Sequence, residues 1–154
     1  MRQMTQQQTV SGNSPLTLTF PEAAGQTFER GAPVVLSASG TVQEAATPAA
    51  SVVGVAAMPA NGAGASRYLP PPTGQPVTVW VANDDTLFGI PMANGVQADV
   101  GKLVTVSKTG SLWAADRTTA GTFLVYYIYT ETTSSQIIAV GKFLESACQL
   151  AKAA

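Results

Sequence analysis

The sequence contains no histidine. That absence removes the commonest general base, the Ser-His-Asp and Cys-His nucleophile systems, and the commonest zinc ligand. Few other residues invite chemistry. Asp84-Asp85 is the only carboxylate pair. Neighbours on a strand point to opposite faces, and beside Asn83 the pair suits a turn better than a catalytic dyad. Asp99 and Asp116 read as loop residues, and no loop has the ligand spacing of a calcium site. Cys148 is the single cysteine and has no base partner, so it reads as a structural thiol without a disulfide framework.

Two short motifs imitate enzymes. Lys108-Thr109-Gly110 matches the K-T-G element of penicillin-recognising enzymes, but the S-x-x-K and S-D-N elements that give it meaning are absent. A polar hairpin turn explains it better. Gly62-Ala63-Gly64 lacks the third glycine and following helix of a dinucleotide fingerprint. The aromatic residues Trp80, Trp113, Tyr126, Tyr127 and Tyr129 suit a sugar-binding platform, core packing or subunit contact. These residues therefore predict no catalytic residue, no metal and no cofactor. The expected chain is not an enzyme.

Composition narrows the class. A chain of 154 residues fits one domain, and a compact chain of this size buries about 70% of its unfolded surface. Apolar residues make up 45%, which excludes charge-driven disorder, whereas charged residues reach only 11% against roughly 25% in ordinary globular proteins. Such a surface suits a subunit covered by copies of itself or by partners. The eight Lys and Arg are scattered among nine Asp and Glu, so no basic stripe supports nucleic-acid binding. No apolar run approaches the roughly 20 residues that span a bilayer, and no lipidation signal points to a membrane. The polar N-terminus does not resemble a signal peptide, so cytoplasmic synthesis as a soluble chain is expected.

The elements that position these residues read as β throughout. Residues 1 to 13 are Gln-rich and lack periodicity, which predicts a flexible arm. A β-rich domain is expected over residues 14–147 and a tail over 148–154, with a helical turn or two after Glu145. Leu16 to Phe20 alternates apolar and polar residues and stops at Pro21. Further strands are expected at Pro33–Leu36, Thr41–Gln43, Val52–Ala56, Gln75–Ala82 and Leu87–Ile90. The strongest unit follows: Leu103–Val106, a turn at Lys108-Thr109-Gly110, Ser111–Ala114 and the apolar run Phe123–Tyr129. Gln136–Leu144 completes the set. The prolines and glycines of Met58 to Gly74 predict an exposed excursion. The fold class is an all-β, single-domain antiparallel β-sandwich or barrel, jelly-roll-like, with a flexible N-terminal arm.

Comparing segments adds an internal match. Gly31 to Ala46 aligns without gaps on Gly101 to Asp116, seventy positions later. Gly31/Gly101, Val34/Val104, Ser37/Ser107, Gly40/Gly110 and Ala45/Ala115 are identical. Either a repeat or two hairpins of similar turn chemistry would produce this.

The order of these phrases is similar to a known family. GAPVVLSASGTVQEA, VVGVA, VTVWVANDDTLFGIPM, VGKLVTVSKTGSLWAAD, FLVYYIY and VGKFLESACQ together resemble the decoration, or cement, proteins of tailed-bacteriophage capsids. The resemblance spans most of residues 31 to 149 and leaves the Gln-rich arm and the Pro-rich stretch unmatched. It implies a non-enzymatic virion protein on the outer capsid surface. Such a protein forms homo-oligomers, with trimers favoured, and binds the major capsid protein to bridge neighbouring capsomers. An extended arm adding a strand to a partner's sheet is one docking route. The residues expected at contacts are Gln6, Gln7, Gln8, Thr9 and Val10 of the arm, Arg67, Tyr68 and Leu69 of the Pro-rich stretch, and Trp80 and Trp113. The alternatives are a carbohydrate-binding β-sandwich and a tail or head-fibre component.

Overall fold

A computed structural model of the chain describes residues 4–60, 76–117 and 121–150. Eleven strands are described: β1 Thr5–Thr9, β2 Thr17–Pro21, β3 Pro33–Leu36, β4 Val42–Glu44, β5 Gly54–Ala56, β6 Pro76–Val81, β7 Thr86–Pro91, β8 Leu103–Thr109, β9 Leu112–Arg117, β10 Phe123–Thr130 and β11 Ile137–Phe143. They form two antiparallel sheets, ordered β1-β7-β11-β10-β8-β9 and β2-β6-β5-β3-β4. The sheets share one core, so the fold is an all-β sandwich.

Alternation builds that core. In β6, Val77, Val79 and Val81 are buried on one face while Thr78 and Trp80 are half-buried on the other. In β8 and β9, Val104, Val106, Trp113 and Ala115 point inward, and Leu112, Ala114 and Asp116 face outward. Phe143 packs edge-on against Phe123 and Phe88, with ring centroids 5.2 and 6.1 Å away. Polar side chains then join the layers. Lys108 donates to both carboxylate oxygens of Glu44 at 2.7 and 2.8 Å, and Trp113 Nε1 donates to Glu44 Oε1 at 3.1 Å.

The internal match is a match of structure up to the hairpin turns; beyond them the ladders differ by three residues, since Val34 pairs with Glu44 but Val104 pairs with Arg117. In each sheet, setting β1 aside, five consecutive strands lie in the same spatial order: first, fifth, fourth, second, third. The first unit is β2–β6 and the second is β7–β11. Gly31 and Gly101 both take positive φ, 92° and 83°, a conformation costly for residues with a Cβ. Gly40 and Gly110 do the same at their hairpin turns. The hydrogen bonds repeat as well. Gly31 N–H donates to Ala56 O, and Ala56 N–H to Ala32 O. In the second unit, Gly101 N–H donates to Val125 O and Val125 N–H to Lys102 O. Ala32 to Glu29 and Lys102 to Asp99 form a third matching pair.

The units are also interlocked. Ala49 N–H donates to Val106 O, and the Thr122 hydroxyl to Ala49 O. The end of the chain returns to the first unit, where Val52 and Cys148 form a bridge and the Gln149 amide bonds both main-chain groups of Leu36.

Several boundaries differ from the sequence reading. Thr5–Thr9, placed in the arm, form an edge strand on β7, because main-chain pairing does not require apolar side chains. Met4 before it is fully buried. The β8–β9 turn lies at Gly110-Ser111, with Lys108 and Thr109 still paired in the strand. The helical turn after Leu144 is a short 3₁₀ segment, Glu145–Ala147. Most of the Met58 to Gly74 stretch, with Arg67, Tyr68 and Leu69, lies outside the described residues.

Candidate interaction surfaces

The polar residues singled out for chemistry are held by structural partners. Asn83 Oδ1 accepts from the N–H groups of Asp85 and Thr86, both at 2.9 Å. This locks the turn that carries the carboxylate pair. Asp85 then accepts from Ser11 N–H at 2.7 Å and the Ser11 hydroxyl at 2.8 Å, fastening the end of β1. Asp84 instead pairs with Lys142 at 3.0 Å. Burial opposes the charge on Lys142, but hydrogen bonds to Asp84 and Tyr126 outweigh it and raise the amine's pKa. The two carboxylates thus point to different tasks and share no substrate position.

Neither aspartate expected in a loop lies in one: Asp116 is on the outward face of β9, and Asp99 ends a 3₁₀ turn, Gln97–Asp99, between β7 and β8. The Asp99 carboxylate is buried and clamped. Arg117 grips it with Nε at 2.8 Å and Nη2 at 2.9 Å, and also donates to Asn94 O. Val96 N–H adds a bond at 2.9 Å. The Arg117 guanidinium, then the Val96 amide, hold the Asp99 carboxyl down at about 2, and Asp99 in turn raises the Arg117 pKa. This pairing ties β9 to the β7–β8 connection.

Beside that clamp, a groove of about 250 Å³ is lined by Met92, Asn94, Ser107, Thr109, Ala114 and Asp116 among others. It offers a carboxylate, two hydroxyls and an amide, without a nucleophile–base pair. Cys148 is buried, with its sulfur 3.8 Å from Phe143 O. Among the described residues no cluster of three or more Cys, Asp or Glu could hold a metal ion. No described helix is long and apolar enough to cross a membrane.

No protein-family model matches the sequence, and no curated protein matches it.

The residues expected at contacts separate into different places. Gln6, Gln7 and Thr9 of β1 are half-buried on β7, while Gln8 is exposed. The Gln7 side chain lies over Gly89, where an added Cβ would meet Nε2 at 2.6 Å. Val10 is 58% exposed, although its N–H is bonded to Asp85 O. Trp80 is half-buried under the Arg30 guanidinium, which stands 5.4 Å from the ring centroid. Trp113 is not a surface residue. It is buried because it pairs with Lys108 on the inward face, and its ring nitrogen finds Glu44.

Apart from Val10, exposed apolar residues lie elsewhere. Leu16 and Leu18 flank the start of β2, Leu103 and Leu112 open β8 and β9, and Tyr126 and Tyr127 sit on β10. Tyr126 falls at the irregularity where the β10–β11 register shifts, which releases it from strict alternation. The alternation of Leu16 and Leu18 was visible in the sequence. Its lack of cover depends on which strands lie beside β2.

Proposed function

We propose that this chain is a non-enzymatic structural protein that coats the outer surface of a tailed-phage capsid as an oligomer and bridges neighbouring capsomers. The observation that carries the reading is the dispersal of exposed apolar and aromatic side chains over separate places in both sheets: Leu16 and Leu18 at the β2 edge, Leu112 at the β9 edge, and Leu103 and Tyr126 with Tyr127 on the inner strands β8 and β10. A subunit that touches several neighbours needs several small contacts, and repetition on a symmetric shell turns each into avidity. An enzyme would gather its special residues around one cavity. The order of glycine-centred phrases resembling decoration proteins supports the same reading, as does the charge-poor composition.

Within it, the shell contact falls to Gln8, Val10 and the connection into β2, since the rest of β1 is engaged in the chain's own sheet. Deleting residues 1 to 13 would therefore disturb the fold as well as docking. Substitution of Gln8 and Val10 is the cleaner probe.

The test mixes purified protein with undecorated capsids and measures occupancy by co-sedimentation, together with capsid resistance to heat or chelator. Saturable binding at a fixed ratio, with rupture moved to higher temperature, is expected. Binding to tails instead, or no co-sedimentation, would contradict the proposal.

A further inference from the structure

The first, fourth and fifth strands of the two units can be matched through their hydrogen bonds and pairings. Ala56 and Val125 make equivalent bonds to the glycine turns. Their partners Val79 and Gly141 therefore correspond, and next to these lie Leu18 and Phe88. The match then places Pro21 on Pro91, Ala23 on Ala93 and Gly25 on Gly95. β2 is thus the counterpart of β7.

Their outer edges differ. β1 lies against Thr86, Leu87, Phe88 and Gly89, all of which are buried. The counterparts are Leu16, Thr17, Leu18 and Thr19, all of which are exposed. Leu16 and Leu18 are 48% and 38% accessible. Among the described residues, no strand lies on this stretch. Farther along, the edge is covered by a bridge between Glu22 and Val42. The Val81 N–H bond to Leu16 O sets the phase of the β2–β6 ladder: Leu16, Leu18 and Phe20 bond to β6. The main-chain groups of Thr17 and Thr19 therefore point away from it. Leu16 to Phe20 carries no charge, no proline and no bulge, the devices that ordinarily guard an edge.

We propose that the Leu16–Phe20 edge pairs antiparallel with the same edge of a second copy, about a two-fold axis at Leu18, continuing the sheet across the pair. The sequence LTLTF is self-complementary in that register. Leu18 meets Leu18 of the copy, Thr17 meets Thr19, and Leu16 meets Phe20, so apolar faces apolar and threonine faces threonine. A slip by one residue sets leucine against threonine. The two-fold pair satisfies the outward groups of Thr17 and Thr19 on both chains at once. The chain's own β1 is already committed to β7. The inference does not depend on what the oligomer coats.

The test is sedimentation equilibrium of the full chain over a concentration series, with Thr19→Pro, Leu18→Lys and two cysteine variants. A reversible dimer is expected. Thr19→Pro removes an outward N–H that bonds nothing in β6, so the fold persists while the dimer dissociation constant rises by about tenfold or more. Leu18→Lys places like charges face to face and does the same by another route. Under oxidation, Leu18→Cys cross-links across the axis and Thr17→Cys does not, and native Cys148 is too buried to interfere. A monomer at every concentration would overturn the proposal. So would an oligomer that keeps its affinity in both Thr19→Pro and Leu18→Lys, or equal cross-linking at Thr17.

Discussion

β2 and β7 hold the same place in two units of the same strand order, yet one is bare along its outer edge and the other is buried. The difference comes from β1. Its sequence, Thr-Gln-Gln-Gln-Thr, has no apolar side chain, and its contribution is a row of main-chain donors and acceptors for Leu87 and Gly89. An edge is closed by backbone, whatever the side chains, and Met4 anchors the strand by its burial. The units also close differently where their first and third strands approach. The first uses a main-chain bridge, Glu22 to Val42. The second uses a side-chain clamp, Arg117 on Asp99 and Asn94.

The largest expected effect is removal of β1. Deleting residues 1 to 9 takes Met4 from the core and bares the β7 edge. This costs on the order of 5 kcal/mol, or roughly 10–20 °C in thermal midpoint. A shift of only a degree or two would mean that β1 is not part of the folded domain.

The two tryptophans offer the next contrast. Trp113→Ala empties a fully buried site and is expected to cost about 3–5 kcal/mol in denaturant unfolding. Trp80→Ala loses a half-covered ring and its Arg30 contact, about 1–2 kcal/mol. Equal costs would contradict the inward placement of Trp113.

Proline tests the edges directly. Gly89→Pro removes a donor facing β1 and is expected to cost about 3 kcal/mol. Thr19→Pro at the matching place costs the monomer less than about 1 kcal/mol, because its N–H has no internal partner. Urea titration of both variants at low protein concentration checks the pair.

The smallest effect is electrostatic. The Asp99 carboxyl lies below its ordinary value of 3.8, at about 2. Its contribution to stability is therefore complete above pH 3.8 and lost as pH falls toward 2. Asp99→Asn should flatten the stability slope in that window and leave neutral pH dependence unchanged.

Much of the fold was legible because alternation and glycine turns are local signals. Val77, Val79 and Val81 declare their face, and Gly31/Gly101 and Gly40/Gly110 mark equivalent turns. The extension of the repeat to Pro21/Pro91 was not legible, since three identities in a short stretch gain meaning only from hydrogen-bond register. β1 was hidden because a polar strand has no periodic side-chain pattern. Trp113 faces inward through its pairing with Lys108, which the position of the turn decides. The Asp99–Arg117 clamp joins residues on separate elements, and neither announces the other.

The comparison between β2 and β7 is tested most directly by amide hydrogen exchange, resolved by NMR, at Thr17, Thr19, Leu87 and Gly89 over a range of protein concentrations. Leu87 and Gly89 should be protected at every concentration, and Thr17 and Thr19 should become protected only as copies pair. Slow exchange of Thr17 and Thr19 in the dilute monomer, or fast exchange at all concentrations, would contradict an open edge that a second copy closes.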